Sequence, residues 1–119
     1  MQDPVARALV VDDDRALRML CRVNLQIEGF AVQEAATIAE AEASVAGQRP
    51  DVVLLDVHLS EERTTGLLGR LRAAGIPVVL VTGSVDADEY RDQADAVIGK
   101  PFDPRVLVEI ARRLARVAT

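Results

Sequence analysis

Short β-branched runs alternate along this chain with amphipathic stretches of helical length, and that alternation limits the fold more than anything else in the sequence. The runs stand at Ala8–Val11, Phe30–Gln33, Val52–Leu55, Val78–Val81 and Ala96–Ile98. The first helical stretch runs from Arg15 to Ile27 and stops at Gly29, a left-handed C-terminal cap. A second opens with Thr37-Ile38-Ala39-Glu40, the pattern of a capping box, and sets Ile38, Ala41 and Val45 on one face. A third carries Leu67, Leu68 and Leu71. The last begins with Asp103 as N-cap and Pro104 in the first turn, and its apolar positions Val106, Leu107, Ile110, Leu114 and Val117 keep a 3.6 period. Strands alternating with helices predict βαβ units around a parallel sheet. The runs at 52–55 and 78–81 are continuously apolar, as a strand covered by helices on both faces requires. Right-handed crossovers then give a doubly wound α/β domain.

No repeat, low-complexity tract or linker-like run interrupts the pattern, so one domain over residues 1–119 is expected. A chain of this length buries about two-thirds of its unfolded surface and needs no staples. Fourteen Lys+Arg against nineteen Asp+Glu leave a net charge of −5. Phosphate-gripping nucleic-acid binders are basic or carry a basic stripe, and polybasic membrane binders cluster their Lys and Arg. The richest basic stretch here, Arg105, Arg112, Arg113 and Arg116, is spread along the terminal helix. Neither direct nucleic-acid binding nor membrane binding is expected. The single cysteine, Cys21, excludes an internal disulfide and a cysteine-based zinc site, and its apolar helical surroundings predict a buried thiol. The longest apolar run, Ile76-Pro77-Val78-Val79-Leu80-Val81, is far too short to span a bilayer. Met1-Gln2-Asp3-Pro4 is too short and acidic for a signal peptide, which makes the expected location cytoplasmic.

Acids gather at the ends of the strands. Asp12, Asp13 and Asp14 follow the first run directly, and Asp56 closes the third. Ligands of open α/β sheets bind beyond the carboxyl ends of the strands, where strand order reverses. Were the first and third strands neighbours, about 4.8 Å apart, their terminal carboxylates would converge there. Clustered carboxylates raise one another's pKa unless a cation compensates, and magnesium or a lysine suits that task. Asp14, at the strand-to-helix junction, reads as an N-cap. Thr82 reads equally well as a turn hydroxyl or a site hydroxyl. Lys100 is the sole lysine against thirteen arginines and stands before Pro101 at the end of the fifth strand. A compact ammonium there suits a point contact to a carboxylate or phosphoryl oxygen, and a cis Pro101 would aim it at the site.

Taken together, Val10-Val11-Asp12-Asp13-Asp14, Asp51-Val52-Val53-Leu54-Leu55-Asp56, Val81-Thr82-Gly83 and Lys100-Pro101-Phe102 resemble the receiver domain of bacterial two-component response regulators. The match spans nearly the whole chain in order. It implies a flavodoxin-like fold, with five parallel strands in the order 2-1-3-4-5. It also implies that Asp56 is the phosphoacceptor, taking a phosphoryl group from a phosphohistidine of a sensor kinase or phosphotransfer protein. Asp12 and Asp13 match the acidic pair that holds Mg2+, together with Asp56 and the backbone carbonyl of His58. Thr82 matches the hydroxyl that bonds the phosphoryl oxygens, Lys100 matches the lysine that pairs with Asp56, and Gly83 matches a position kept small. Phosphoryl transfer is mostly positioning and charge neutralisation, so the residues and the resemblance point the same way. With no output domain expected within the chain, its signal would pass by contact to an unidentified downstream protein.

Several positions depart from the family pattern. Val97 stands where an aromatic switch residue is usual, and Ser60 where a proline is common. The loop Ser60–Thr65 is expected to be longer than usual. The interval between Thr82 and Lys100 is short, which predicts a truncated, mobile fourth helix. His58 and Ser84 occupy positions that the resemblance associates with phosphoryl lifetime. Two other classes compete with the leading one. Asp12-Asp13-Asp14 contains the Asp-x-Asp of haloacid-dehalogenase-like phosphatases, but Ala16 stands where Thr or Val is expected and no room is left for a cap domain. A pseudo-receiver that binds partners without phosphorylation would lack an Asp, the Thr or the Lys, and all are present. A flavin-type phosphate loop would need Gly or hydroxyl residues where this chain has three acids.

Overall fold

The alternation of runs and stretches folds into a single parallel sheet flanked by helices. A computed structural model describes residues 5–56, 61–83 and 94–117. The strands are β1 (Arg7–Val11), β2 (Ala31–Ala35), β3 (Val52–Asp56), β4 (Val78–Thr82) and β5 (Ala96–Gly99), and the helices are α1 (Arg15–Ile27), α2 (Ile38–Gly47), α3 (Glu61–Ala73) and α4 (Pro104–Val117). The sheet order is β2-β1-β3-β4-β5, with every neighbouring pair parallel. This is the expected 2-1-3-4-5 order, and the reversal falls between β1 and β3.

Strand alternation sorts the apolar residues into two cores. Ala8, Val10, Val52, Leu54, Val79 and Val81 face Cys21 and Leu25 of α1 and Leu107 and Ala111 of α4. Leu9, Val11, Val53, Leu55, Val78 and Leu80 face Ile38 and Ala41 of α2 and Leu67, Leu68 and Leu71 of α3. Both faces of β3 and β4 are therefore dry, and truncating a buried leucine such as Leu54 or Leu80 costs about 2–5 kcal/mol.

The helix boundaries follow from their caps. Asp14 Oδ1 accepts the Ala16 and Leu17 N–H groups at 2.9 and 3.2 Å, which fixes the start of α1. Gly29, at φ 95°, closes it, because only glycine adopts that conformation at no steric cost. Thr37 Oγ1 accepts from Glu40 N–H at 3.1 Å, while Glu40 Oε1 reaches back to the Ala36 N–H at 2.8 Å, one residue beyond the usual partner in a capping box. Asp103 caps α4 by accepting the Arg105 N–H at 2.9 Å.

Two expectations need correction. The second strand runs from Ala31 to Ala35, not Phe30 to Gln33, because its backbone pairs with β1 through the polar Gln33 and Glu34. Residues 61–65 are the first turn of α3, not loop. Acidic residues in a first turn suit the helix dipole. Where the short interval leads into β5, Ala94 packs against the α2/α3-side core and Asp95 accepts the Val78 N–H at 2.8 Å. The rest of that interval, residues 84–93, lies outside the described residues, as do His58 and Ser60. No helix among the described residues is long and apolar enough to cross a membrane.

Candidate functional site

Parallel pairing of β1 with β3 and of β3 with β4 puts three strand ends side by side, and the polar residues there are buried. Asp12 and Asp56 are each 4% exposed and Thr82 is 2% exposed. Asp56 is in register with Val81, the residue before Thr82, so hydroxyl and carboxylate leave adjacent strands. Carboxylate oxygens of Asp12, Asp13 and Asp56 all lie within 4.8 Å of one another, with Asp13 on the exposed side. Lys100 projects into the group from the end of β5: its Nζ is 3.4 Å from Asp12 Oδ2 and 3.6 Å from Asp56 Oδ2. The Lys100–Pro101 peptide is cis, as expected, and Lys100 N–H donates to the Thr82 carbonyl at 2.7 Å.

The three successive acids have three different surroundings. Asp14 is committed to its cap. Asp12 is held on every side: its N–H donates to the Ala35 carbonyl of β2 at 3.0 Å, and its Oδ1 accepts the Asp14 N–H at 2.8 Å. Asp13 alone turns an exposed carboxylate toward the shared centre. Burial pushes the Asp12 pKa up and the Asp56 charge adds to the shift, against the Asp14 N–H and Lys100, which lower it. The same field reaches α1. The buried Cys21 thiol is pushed up to about 12, by burial first and then by the Asp12 charge. Cys21 is therefore the inert core thiol that the sequence predicts.

Three carboxylates face one ammonium, a formal excess of two negative charges in a pocket half withdrawn from water. Hard oxygen donors with uncompensated charge are the donor set of a small divalent cation. Of the sequence-predicted site residues within the described structure, Asp12, Asp13, Asp56 and Lys100 thus meet at one place, and Thr82 ends the strand adjacent to Asp56. The predicted ligand carbonyl of His58 lies outside the described residues. A Cβ built on Gly83 would touch Lys100 Cβ at an ordinary 3.8 Å, so the surrounding protein tolerates a small side chain there. Val97 is half-buried against the α2/α3-side core.

Three residues with structural roles escaped the sequence reading, one beside the site and two at the opposite end of the sheet. Arg18, one turn into α1, donates from Nη1 to the Asp12 carbonyl at 2.7 Å. Asp51 accepts the Arg7 N–H at 2.8 Å, and Asp95 accepts that of Val78, each bracing the start of a neighbouring strand. The only signal for the last two is their place, one residue before β3 and β5.

Comparison with known proteins agrees with this geometry. The family model for the response regulator receiver domain matches residues 8–112. The DNA-binding response regulator MtrA of Mycobacterium tuberculosis is 36% identical over 115 residues, covering 92% of this chain and 50% of that protein. The transcriptional regulatory protein AruR of Pseudomonas aeruginosa is 36% identical over 122 residues, covering 94% of this chain and 50% of its own. The chain thus spans about half the length of the curated relatives it matches. Among solved structures, a CheY-like receiver domain protein from Methanospirillum hungatei superimposes with a TM-score of 0.86 at 30% identity, covering 97% of both chains. The receiver domain of NtrX from Brucella abortus gives 0.83 at 29%, covering 92% of this chain and 98% of that one. With the sheet order, the acid pocket and the family match in agreement, this chain belongs to the receiver domains of two-component response regulators.

Proposed function

We propose that this chain is a reversible phosphoacceptor in two-component signalling, charged on Asp56 by a phosphohistidine of a sensor kinase or phosphotransfer protein. The observation that carries the reading is the convergence of Asp12, Asp13, Asp56 and Lys100 on one point beyond the reversal of the sheet. An Asp56 carboxylate oxygen attacks phosphorus as the P–N bond breaks. The imidazole nitrogen keeps the electron pair, and an acyl phosphate forms. Asp12, Asp13 and Asp56 are the side chains that would hold Mg2+, with the His58 carbonyl as a further ligand. When bound, the ion neutralises charge on the phosphoryl oxygens. Lys100, already within 3.6 Å of Asp56, supplies a second positive charge to those oxygens. The Thr82 hydroxyl, at the end of the adjacent strand, donates a hydrogen bond to them. Asp14 takes no part beyond setting the helix that follows the acidic pair.

The domain then signals through protein contacts and has no catalytic output of its own. Intact mass after incubation with acetyl phosphate or phosphoramidate and Mg2+ tests the reading. One phosphoryl group is expected, and none with Asp56→Asn or with chelator. Failure of the folded protein to gain mass from these donors and from a phosphohistidine donor would overturn it.

A further inference from the structure

We infer that Arg18 is a positioning residue for the acidic pair, a guanidinium clamp that fixes the Asp12–Asp13 peptide from the edge strand of the sheet. The inference rests on the phosphoacceptor reading of the site and deepens it. Arg18 is largely buried, with its side chain 15% exposed, and its shortest contact goes to backbone: Nη1 to the Asp12 carbonyl at 2.7 Å. Its Nε is anchored 3.3 Å from Glu34 Oε1, while Arg22 Nε holds the other oxygen of Glu34 at 3.0 Å. Glu34, on β2, is in register with Val10 of β1, and the next residue, Ala35, accepts the Asp12 N–H. Asp12 is thus gripped through both of its backbone polar groups by the same edge of β2.

The consequence reaches Asp13 through covalent geometry. The Asp12 carbonyl and the Asp13 N–H share one planar peptide, so holding the carbonyl fixes the plane from which Asp13 departs. Asp13 is the exposed member of the cluster, and the structure gives its carboxylate no hydrogen bond or ion pair of its own among the described residues. Its approach to Asp12 and Asp56 is set by backbone, and among the described residues the only side chain gripping that backbone carbonyl is Arg18. Groups that orient metal ligands from behind are typically worth about 10–100-fold in metal affinity.

The test is calorimetric titration with MgCl2 of the wild type, Arg18→Met, Arg18→Lys and Glu34→Gln. Arg112→Met serves as a control, because it breaks an α4-to-α1 ion pair (Arg112–Glu28, 3.4 Å) remote from the pocket. Arg18→Met is expected to weaken Mg2+ binding about tenfold. Arg18→Lys, which retains one donor for the carbonyl, should restore part of it, and Arg112→Met should leave it unchanged. In metal-free protein, amide exchange at Asp14, whose N–H rests on Asp12 Oδ1, should speed up in Arg18→Met alone. Wild-type affinity in Arg18→Met, or an equal loss in Arg112→Met, overturns the clamp while leaving the phosphoacceptor reading standing. Failure of the wild type to bind Mg2+ overturns both. Should Arg18→Met not fold, Glu34→Gln decides: a smaller loss in the same direction supports the clamp, and none overturns it.

Discussion

Carboxylates stand at both ends of this sheet, and their partners separate them. At the amino ends, Asp51 and Asp95 each precede a strand and accept the first N–H of the neighbouring one, from Arg7 and Val78, while their own N–H groups bond the carbonyls of those same residues. Each is a closed two-bond brace. At the carboxyl ends, Asp12, Asp13 and Asp56 are aimed at one another and at a single ammonium. A strand-end acid satisfied by backbone stabilises the fold. Acids that face each other lower its stability and store the capacity to bind charge. The same residue type, at or near a strand end, serves opposite purposes according to whether an N–H or another carboxylate faces it.

That contrast is broken most sharply by exchanging the roles of its members. Lys100→Met should reduce phosphoryl gain from a small donor by about 10²-fold, the scale for losing one preorganised positive group at a charged transition state. Metal-free stability at pH 7 should fall, since the buried carboxylates of Asp12 and Asp56 lose the cation that offsets their charge. Asp51→Ala, by comparison, should leave phosphorylation unchanged. A phosphorylation defect in Asp51→Ala comparable to that of Lys100→Met would erase the distinction between the two ends.

The braces themselves differ in depth. Asp95→Ala removes a part-buried acceptor and is expected to cost about 1–3 kcal/mol, from the unsatisfied Val78 N–H. Asp51→Ala frees the Arg7 N–H at an exposed edge, where water replaces the carboxylate, and should cost about 1 kcal/mol or less. Urea denaturation with a constant m-value measures both. Equal costs would mean that burial does not govern the braces.

The amino-end braces were also the part of the molecule least legible in the sequence. Strands β1, β3 and β4 could be found because each is an apolar run, and Asp12, Asp56 and Lys100 because each breaks such a run with a charge. Local chemistry also exposed Asp14 and Thr37 as caps, since their partners lie within three residues. Arg18, Asp51 and Asp95 gave no comparable signal. Their partners are backbone groups 6, 44 and 17 residues away, fixed only once α1 has packed and the strands are in register. Strand β2 is legible only as far as Gln33, because Glu34 looks like a loop residue. An edge strand needs only its backbone to pair, and its side chains remain free to serve other tasks, as Glu34 does for Arg18.

The pH dependence of metal-free stability gives the most discriminating measurement, because its sign alone decides. Asp12 has a folded pKa raised above the ordinary 3.8, by burial first and then by Asp56, with the Asp14 N–H and Lys100 only partly offsetting them. The folded state therefore holds this proton more tightly than the unfolded state does. The stabilisation is fully present below the unfolded value and lost as pH rises through the folded one. At neutral pH without metal, the ionised Asp12 is a net cost. Asp12→Asn keeps an acceptor for the Asp14 N–H and removes that cost, so the metal-free variant should be more stable than wild type at pH 7. The advantage should shrink as pH falls and vanish below 3.8, where the wild-type carboxyl is itself neutral. Added Mg2+ should reverse the order by stabilising the wild type more than the variant. A metal-free Asp12→Asn less stable than wild type at pH 7 would place Asp12 with Asp51 and Asp95, as a brace rather than a ligand.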